Sequence, residues 1–389
     1  MFNFIVMRFK NTFLFWVVCF AFQGIFSQGV VVPGAHQTNR YLPLLEGKKI
    51  GLVAHQASTI GAVHLVDSLL ASKVNLVRVF APEHGFRGKA DAGEKVADQK
   101  DPATGLRIIS LYGKNRKPPA EMLQDLDLMV FDLQDVGVRF YTYLSTLHYV
   151  MEACAEQNIP LLVLDRPNPN AHYVDGPVLN MEFKSFVGMH PVPIVYGLTI
   201  GEYAQMINGE HWLNEQLQCD LTVIPIENYT HNTPYTLPVK PSPNLPNAQA
   251  VALYPSLCLL EPTVISVGRG TDKQFQIYGH PNLPTSTFSF TPQSNEGAKN
   301  PKFKGIACNG KDLSTIEPPK GIALEWLIEA YQQFEDKEHF FLKGFTRIAG
   351  TDLLQKQIEK GYSPKQIKNS WEKELKAFKH KRKKYVLYP

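Results

Sequence analysis

The residues able to do chemistry gather in one stretch, Val77-Arg-Val-Phe-Ala-Pro-Glu-His-Gly-Phe-Arg-Gly-Lys-Ala-Asp-Ala-Gly-Glu94. Glu83, His84, Arg87, Asp91 and Glu94 fall there in a glycine-punctuated loop, directly after a short apolar run. Carboxyl groups of this kind can donate and accept protons, and an arginine can hold an anion through two parallel hydrogen bonds. Two more clusters, Asp132-Leu-Gln-Asp135 and Asp165-Arg-Pro-Asn-Pro169, add Gln134, Asp135, Arg166 and Asn168. Glu202, Arg139 and Arg269 extend the set, and Phe86, Phe140, Tyr141, Tyr143 and Tyr196 interleave with it. Aromatic faces beside carboxyl groups suit a sugar. A glycosidase needs one carboxyl group to protonate the leaving oxygen and a second group to supply or activate a nucleophile. The competing role for the arginines is to tie loops together through Asp132, Asp135 or Asp165.

Other chemistries find little support. No Gly-x-Ser-x-Gly elbow, His-Glu-x-x-His pair or phosphate-binding P-loop occurs. Gly268-Arg-Gly-Thr271 lacks the third glycine and the strand context of a dinucleotide fingerprint, so no NAD or other cofactor is expected. Asp132, Asp135 and His84 lack a specific metal-ligand spacing, and no metal is expected either.

Positioning these residues calls for an α/β fold. Apolar runs at Lys49–Ala54, Leu76–Phe80, Leu106–Leu111, Leu126–Phe131, Pro160–Leu164 and Leu221–Ile226 read as strands. Helical spacing predicts helices around Ala62–Ser72, Tyr141–Gln157 and Ile200–Asn208. Alternating strands and helices imply a mainly parallel sheet, and unbroken apolar runs imply strands buried on both faces. In such a sheet, loops at the carboxyl ends of the strands line a cleft, which is where the polar clusters fall. Residues 227–256 are rich in proline and asparagine and read as a loop or linker. The expected organisation is therefore a Rossmann-like N-terminal domain over 29–254 and a smaller α+β C-terminal domain over 255–389. In the latter, Ala323–Phe334 and a segment opening at Ser363-Pro364 read as helices, and 279–303 as loop.

Residues 1–28 carry Arg8 and Lys10 ahead of the apolar run Phe13–Phe22, followed by Gly24, Ser27 and Gln28. This is the pattern of a secretory signal peptide cleaved near Ser27–Gly29, and it predicts an exported protein, periplasmic or secreted, with no membrane span afterwards. A net charge of +4 over 389 residues gives no argument for nucleic acid. Beyond the leader, Cys154, Cys219, Cys258 and Cys308 are far apart and lack zinc spacing. Nothing in the chain sets an oligomeric state.

Several long strings resemble those of the NamZ family, formerly a family of unknown function. They are Phe80-Ala-Pro-Glu-His-Gly-Phe-Arg-Gly88 with Asp91-Ala-Gly-Glu94, Phe131-Asp-Leu-Gln-Asp-Val-Gly-Val-Arg-Phe-Tyr-Thr-Tyr143, Leu164-Asp-Arg-Pro-Asn-Pro169, Ser185-Phe-Val-Gly188, Gly197-Leu-Thr-Ile-Gly-Glu202, Pro241-Ser-Pro-Asn244 and Gly268-Arg-Gly-Thr271. The resemblance implies an exo-β-N-acetylmuramidase of cell-wall recycling. It would remove N-acetylmuramic acid from the non-reducing end of peptidoglycan-derived muropeptides or saccharides. It also implies Glu83 as the catalytic group, with Glu94 and Asp135 next in line. Together with the residue reading, the expected substrate contacts are His84, Arg87, Asp91, Gln134, Arg139, Tyr141, Arg166, Asn168, Glu202 and Arg269. One of the arginines is expected to grip the lactyl carboxylate of the sugar. Two positions depart from the family strings: Tyr196 stands where a histidine is expected, and Val264-Ile-Ser-Val267 replaces an Asn-x-Ser-Glu-Gly string. A muropeptide-binding protein without turnover and a muramyl-peptide amidase are the alternatives.

Overall fold

A computed structural model describes residues 29–83, 85–86, 98–113 and 115–389. The leader 1–28, His84, Arg87, Asp91 and Glu94 lie outside the described residues. A seven-stranded sheet runs in the order Gln99–Lys100, Arg107–Ser110, Leu76–Ala81, Ile50–Ala54, Leu128–Asp132, Leu161–Leu164, Leu221–Ile224. Every pairing is parallel except the short edge strand Gln99–Lys100. Leaving that edge strand aside, the spatial order is 3-2-1-4-5-6, that of a Rossmann sheet. The chain reverses direction across the sheet between Ile50–Ala54 and Leu128–Asp132, so the loops leaving those strands and Leu76–Ala81 open onto one crevice.

The apolar strands are apolar throughout because both faces are covered. Ile50, Leu52, Val79, Val130 and Leu162 pack into one core cluster. Val53, Phe80, Met129, Phe131, Leu161 and Val163 pack into the other. The period-2 alternation of a strand divides neighbours between the two layers. Helices Tyr143–Glu156 and Ile200–Gly209 belong to the second layer.

Two stretches differ from expectation. Within the predicted linker, Ala248–Leu257 forms a helix capped by the Asn247 side chain on the Ala250 N–H. Pro255 lies in its last turn, and the helix buries Val251, Leu253, Tyr254 and Leu257, so proline content alone misread it. The predicted loop 279–303 contains the strand Ser289–Phe290, which joins Ile277–His280 and Cys308–Asp312 in a three-stranded antiparallel sheet. The helices Glu325–Gln333 and Pro364–Arg382 form as read, the latter with Ser363 and Gln366 in a capping box. Val31–Pro389 form one compact unit, and the position 254/255 falls inside the helix Ala248–Leu257. No helix among the described residues is long and apolar enough to cross a membrane.

Candidate active site

Glu83 follows the strand Leu76–Ala81 in a tight turn that the Gly85 N–H closes on the Pro82 carbonyl at 3.0 Å. Gly85 takes a φ of 74°, a left-handed conformation that costs glycine little. The Glu83 side chain is 8% exposed and accepts from a threonine hydroxyl. Thr142, at the N-cap of the helix Tyr143–Glu156, donates its Oγ1 hydrogen to Glu83 Oε2 at 2.7 Å. Tyr112 lines the same cavity as Glu83; burial first, then the glutamate's charge, push its phenol up to about 12. Phe80 and Phe86, its aromatic neighbours in the chain, belong to separate core layers.

Glu83 opens onto a cavity of about 260 Å³ lined by Tyr112, Arg116, Phe140, Tyr141, Thr142, Phe186, Val187, Ser242, Asn244, Tyr254, Glu261, Arg269 and Phe275, among others. This is just below the ~300–1,000 Å³ of typical small-molecule pockets, room for about one sugar unit. Tyr141 and Tyr254 meet edge to face at 6.2 Å, and Tyr254 meets Phe275 at 4.8 Å, giving the cavity a rigid aromatic wall. Asn244 donates from Nδ2 to the Gly297 carbonyl at 2.6 Å, which leaves its buried Oδ1 without a protein partner. A larger cavity of about 610 Å³ lies across the strap Lys240–Pro246, lined by Tyr235, Pro238, Pro246 and Val251. Among the described residues it is lined by no carboxylate and no arginine, whereas the smaller one has both.

Of the expected contacts among the described residues, Glu83, Tyr141 and Arg269 line this cavity. Arg269 is already neutralised: Glu261 approaches its Nη2 at 2.8 Å and its Nε at 3.0 Å. That pair separates the Glu83 cavity from a second one lined by Ser266, Asn300 and Lys302.

The remaining residues hold the fold. Asp135 is fully buried; its Oδ2 accepts from the Tyr196 hydroxyl and, at 2.7 Å, from the Gly137 N–H, while Oδ1 has no partner. Burial raises its carboxyl to about 6 against these hydrogen bonds. It therefore sits behind the cavity wall, not in the cavity, because its loop turns inward at Gly137. There φ is 77° and a Cβ would collide with Asn168. Arg139 is also buried, and its guanidinium donates to the carbonyls of Pro177, Val192, Ile348 and Ala349. Burial lowers it to about 9. It pins the end of the helix Phe345–Ala349 through Nη2 and does not line the Glu83 cavity.

Arg166 is committed to Asp132 through Nε at 2.5 Å and Nη2 at 2.8 Å, which is the loop-tying role. Gln134 donates to the Asp135 and Pro167 carbonyls, and Asn168 to the Leu198 carbonyl. Glu202 is buried in a capping box and accepts from the N–H groups of Leu387 and Tyr388. These six differ from the expected site: none lines the Glu83 cavity, and apart from Asp135 Oδ1 and Arg139 Nε the polar atoms described here meet the protein's own backbone and side chains. Tyr112, Arg116, Thr142, Phe186, Glu261 and Phe275 were not expected there. Tyr112 and Arg116 follow the strand Arg107–Ser110, so the carboxyl-end rule applied to that weak strand would have found them.

Two sequence models described as exo-beta-N-acetylmuramidase NamZ match this chain, the N-terminal one over residues 50–249 and the C-terminal one over 252–388. The peptidoglycan beta-N-acetylmuramidase NamZ of Bacillus subtilis (strain 168) is 38% identical over 377 residues, covering 90% of this chain and 89% of that protein. Among solved structures, a DUF1343 family protein from Bacteroides fragilis superposes with a TM-score of 0.87 at 46% identity, covering 92% of this chain and 99% of that one. A second DUF1343 protein from the same organism gives 0.79 at 28% identity, with the same coverage.

Proposed function

This chain belongs to the NamZ family of exo-β-N-acetylmuramidases, and from that membership and the cavity around Glu83 we infer that it is a glycosidase releasing N-acetylmuramic acid from the non-reducing end of peptidoglycan fragments. The observation that carries the reading is a buried glutamate, held by the Thr142 hydroxyl, in an aromatic cavity sized for about one sugar. In the reaction, Glu83 protonates the glycosidic oxygen as its bond to the anomeric carbon of N-acetylmuramic acid breaks; water adds to that carbon in the net hydrolysis, and its released proton restores the Glu83 carboxyl group. Thr142 holds the carboxyl group so that it meets that oxygen in one orientation. Tyr141, Tyr254 and Phe275 offer ring faces to the apolar side of the sugar. A small cavity favours a terminal unit over an internal one, in keeping with exo action.

The cleft draws on both parts of the chain, with Glu83, Tyr112 and Thr142 from 29–254 and Glu261, Arg269 and Phe275 from 255–389. We read these parts as two domains that complete one site. Export is the further reading that residues 1–28 support, since peptidoglycan lies outside the cytoplasm. Fractionation of the producing cell, with the mass of the mature N-terminus, tests it.

The activity is tested with purified protein on a β-linked N-acetylmuramic acid–N-acetylglucosamine disaccharide and on a muropeptide. Free N-acetylmuramic acid in the product mass spectrum is expected. Free peptide would mean an amidase, and binding without product would mean a binding protein.

A further inference from the structure

The cavity beside Glu83 contains two guanidinium groups, and only one of them is neutralised. Arg269 is closed off by Glu261. Arg116 lines the same cavity, is exposed, and has no carboxylate partner among the described residues. It lies over the Phe186 ring, 4.5 Å from the centroid. That ring is itself fixed. It contacts Tyr112 at 5.9 Å and stacks on Tyr149 at 6.2 Å, and the Phe186 carbonyl accepts from Ser145 Oγ at 2.6 Å. A guanidinium resting on an aromatic face keeps its charge and its in-plane N–H donors free while losing much of its rotamer freedom. It is therefore preorganised for an anion that none of the described residues supplies. Arg116 and Glu83 line the same cavity, so the anion would lie close to the reacting bond.

We propose that Arg116 is a specificity-determining residue that binds the lactyl carboxylate of the terminal N-acetylmuramic acid; this rests on the muramidase reading of the same cavity. The carboxylate is the one ionised group that separates this sugar from N-acetylglucosamine. A planar two-pronged donor over Phe186 suits it, and an ester or amide at that position would lose the charge-assisted part of the contact. The expectation that Arg139 or Arg166 performs this task is withdrawn, since both are buried and committed elsewhere.

The test is calorimetric binding of free N-acetylmuramic acid and of its lactyl methyl ester to wild type, Arg116→Ala, Arg116→Lys and Arg87→Ala, with melting temperatures alongside. Chromogenic-muraminide turnover is measured for each. A charge-assisted pair predicts that Arg116→Ala weakens acid binding roughly 10–100-fold and leaves ester binding within about twofold. KM should rise more than kcat falls, and Arg116→Lys should recover part of the loss. Acid and ester weakened equally, or acid binding unchanged in Arg116→Ala, would overturn the proposal. So would loss of acid preference in Arg87→Ala alone. Wild type that neither binds nor cleaves either muramic compound would instead bring down the muramidase reading on which it rests.

Discussion

Glu83 and Asp135 are both buried carboxyl groups at the carboxyl end of the sheet, yet only Glu83 lines the cavity. Glu83 accepts from Thr142 on the cavity wall, whereas Asp135 accepts from Tyr196 and Gly137 behind that wall. Residue type and loop position nominate both, and only the direction of the Gly137 turn separates them. The same holds for the arginines: the sequence shows that they lie near acidic neighbours, but not which are already paired. Asp135 carries a pH signature. Unfolded, it titrates near 3.8; folded, burial holds its proton up to about 6. Between those values the folded state binds the extra proton, so the stability due to this group is full below about pH 4 and is lost as pH rises through 6. Asp135→Asn keeps an oxygen for Tyr196 and Gly137 and removes the titration. Its melting temperature relative to wild type is expected to climb between pH 4 and pH 7, by an amount equivalent to about 3 kcal/mol. A pH-independent difference would place the cause of the shift elsewhere.

At the scale of elements, the parallel sheet is legible because its strands are buried on both faces and leave unbroken apolar runs between polar loop clusters. The three-stranded sheet is not legible, because Cys308-Asn-Gly-Lys-Asp312 carries no apolar alternation and is partnered by distant, short strands. The helix Ala248–Leu257 is hidden by its flanking prolines. The string Gly197–Glu202 was read as part of the site, but it anchors the end of the chain. Glu202 accepts from the N–H groups of Leu387 and Tyr388, and the Tyr388 hydroxyl donates to Asp165 at 2.6 Å while accepting from the Ile226 N–H at 2.9 Å. Tyr388→Phe leaves the buried Asp165 and Ile226 groups each short of a partner. The expected loss is about 1–3 kcal/mol of stability, read from denaturant unfolding, with kcat of the folded enzyme retained. A fall in kcat without a change in midpoint would contradict this structural role.

On the scale of the whole molecule, the two stretches of chain on either side of the helix Ala248–Leu257 meet around one cavity. Glu261, Arg269 and Phe275 form the wall facing Glu83, and Tyr254 bridges to them through Phe275. A fragment of residues 29–254 would cut that helix and remove this wall. It is expected to release no N-acetylmuramic acid, and to expose apolar surface detectable by dye binding; an active fragment would show that the second part is dispensable. The proposed proton donor in the assembled cavity is Glu83. The most direct test is kcat on a chromogenic β-N-acetylmuraminide, measured together with melting temperature, for wild type and Glu83→Gln. Positioned proton transfer contributes roughly 10²–10⁴-fold in rate, so turnover should drop by that factor while the melting temperature stays near that of wild type. Turnover close to wild type in a folded Glu83→Gln protein would contradict the assignment.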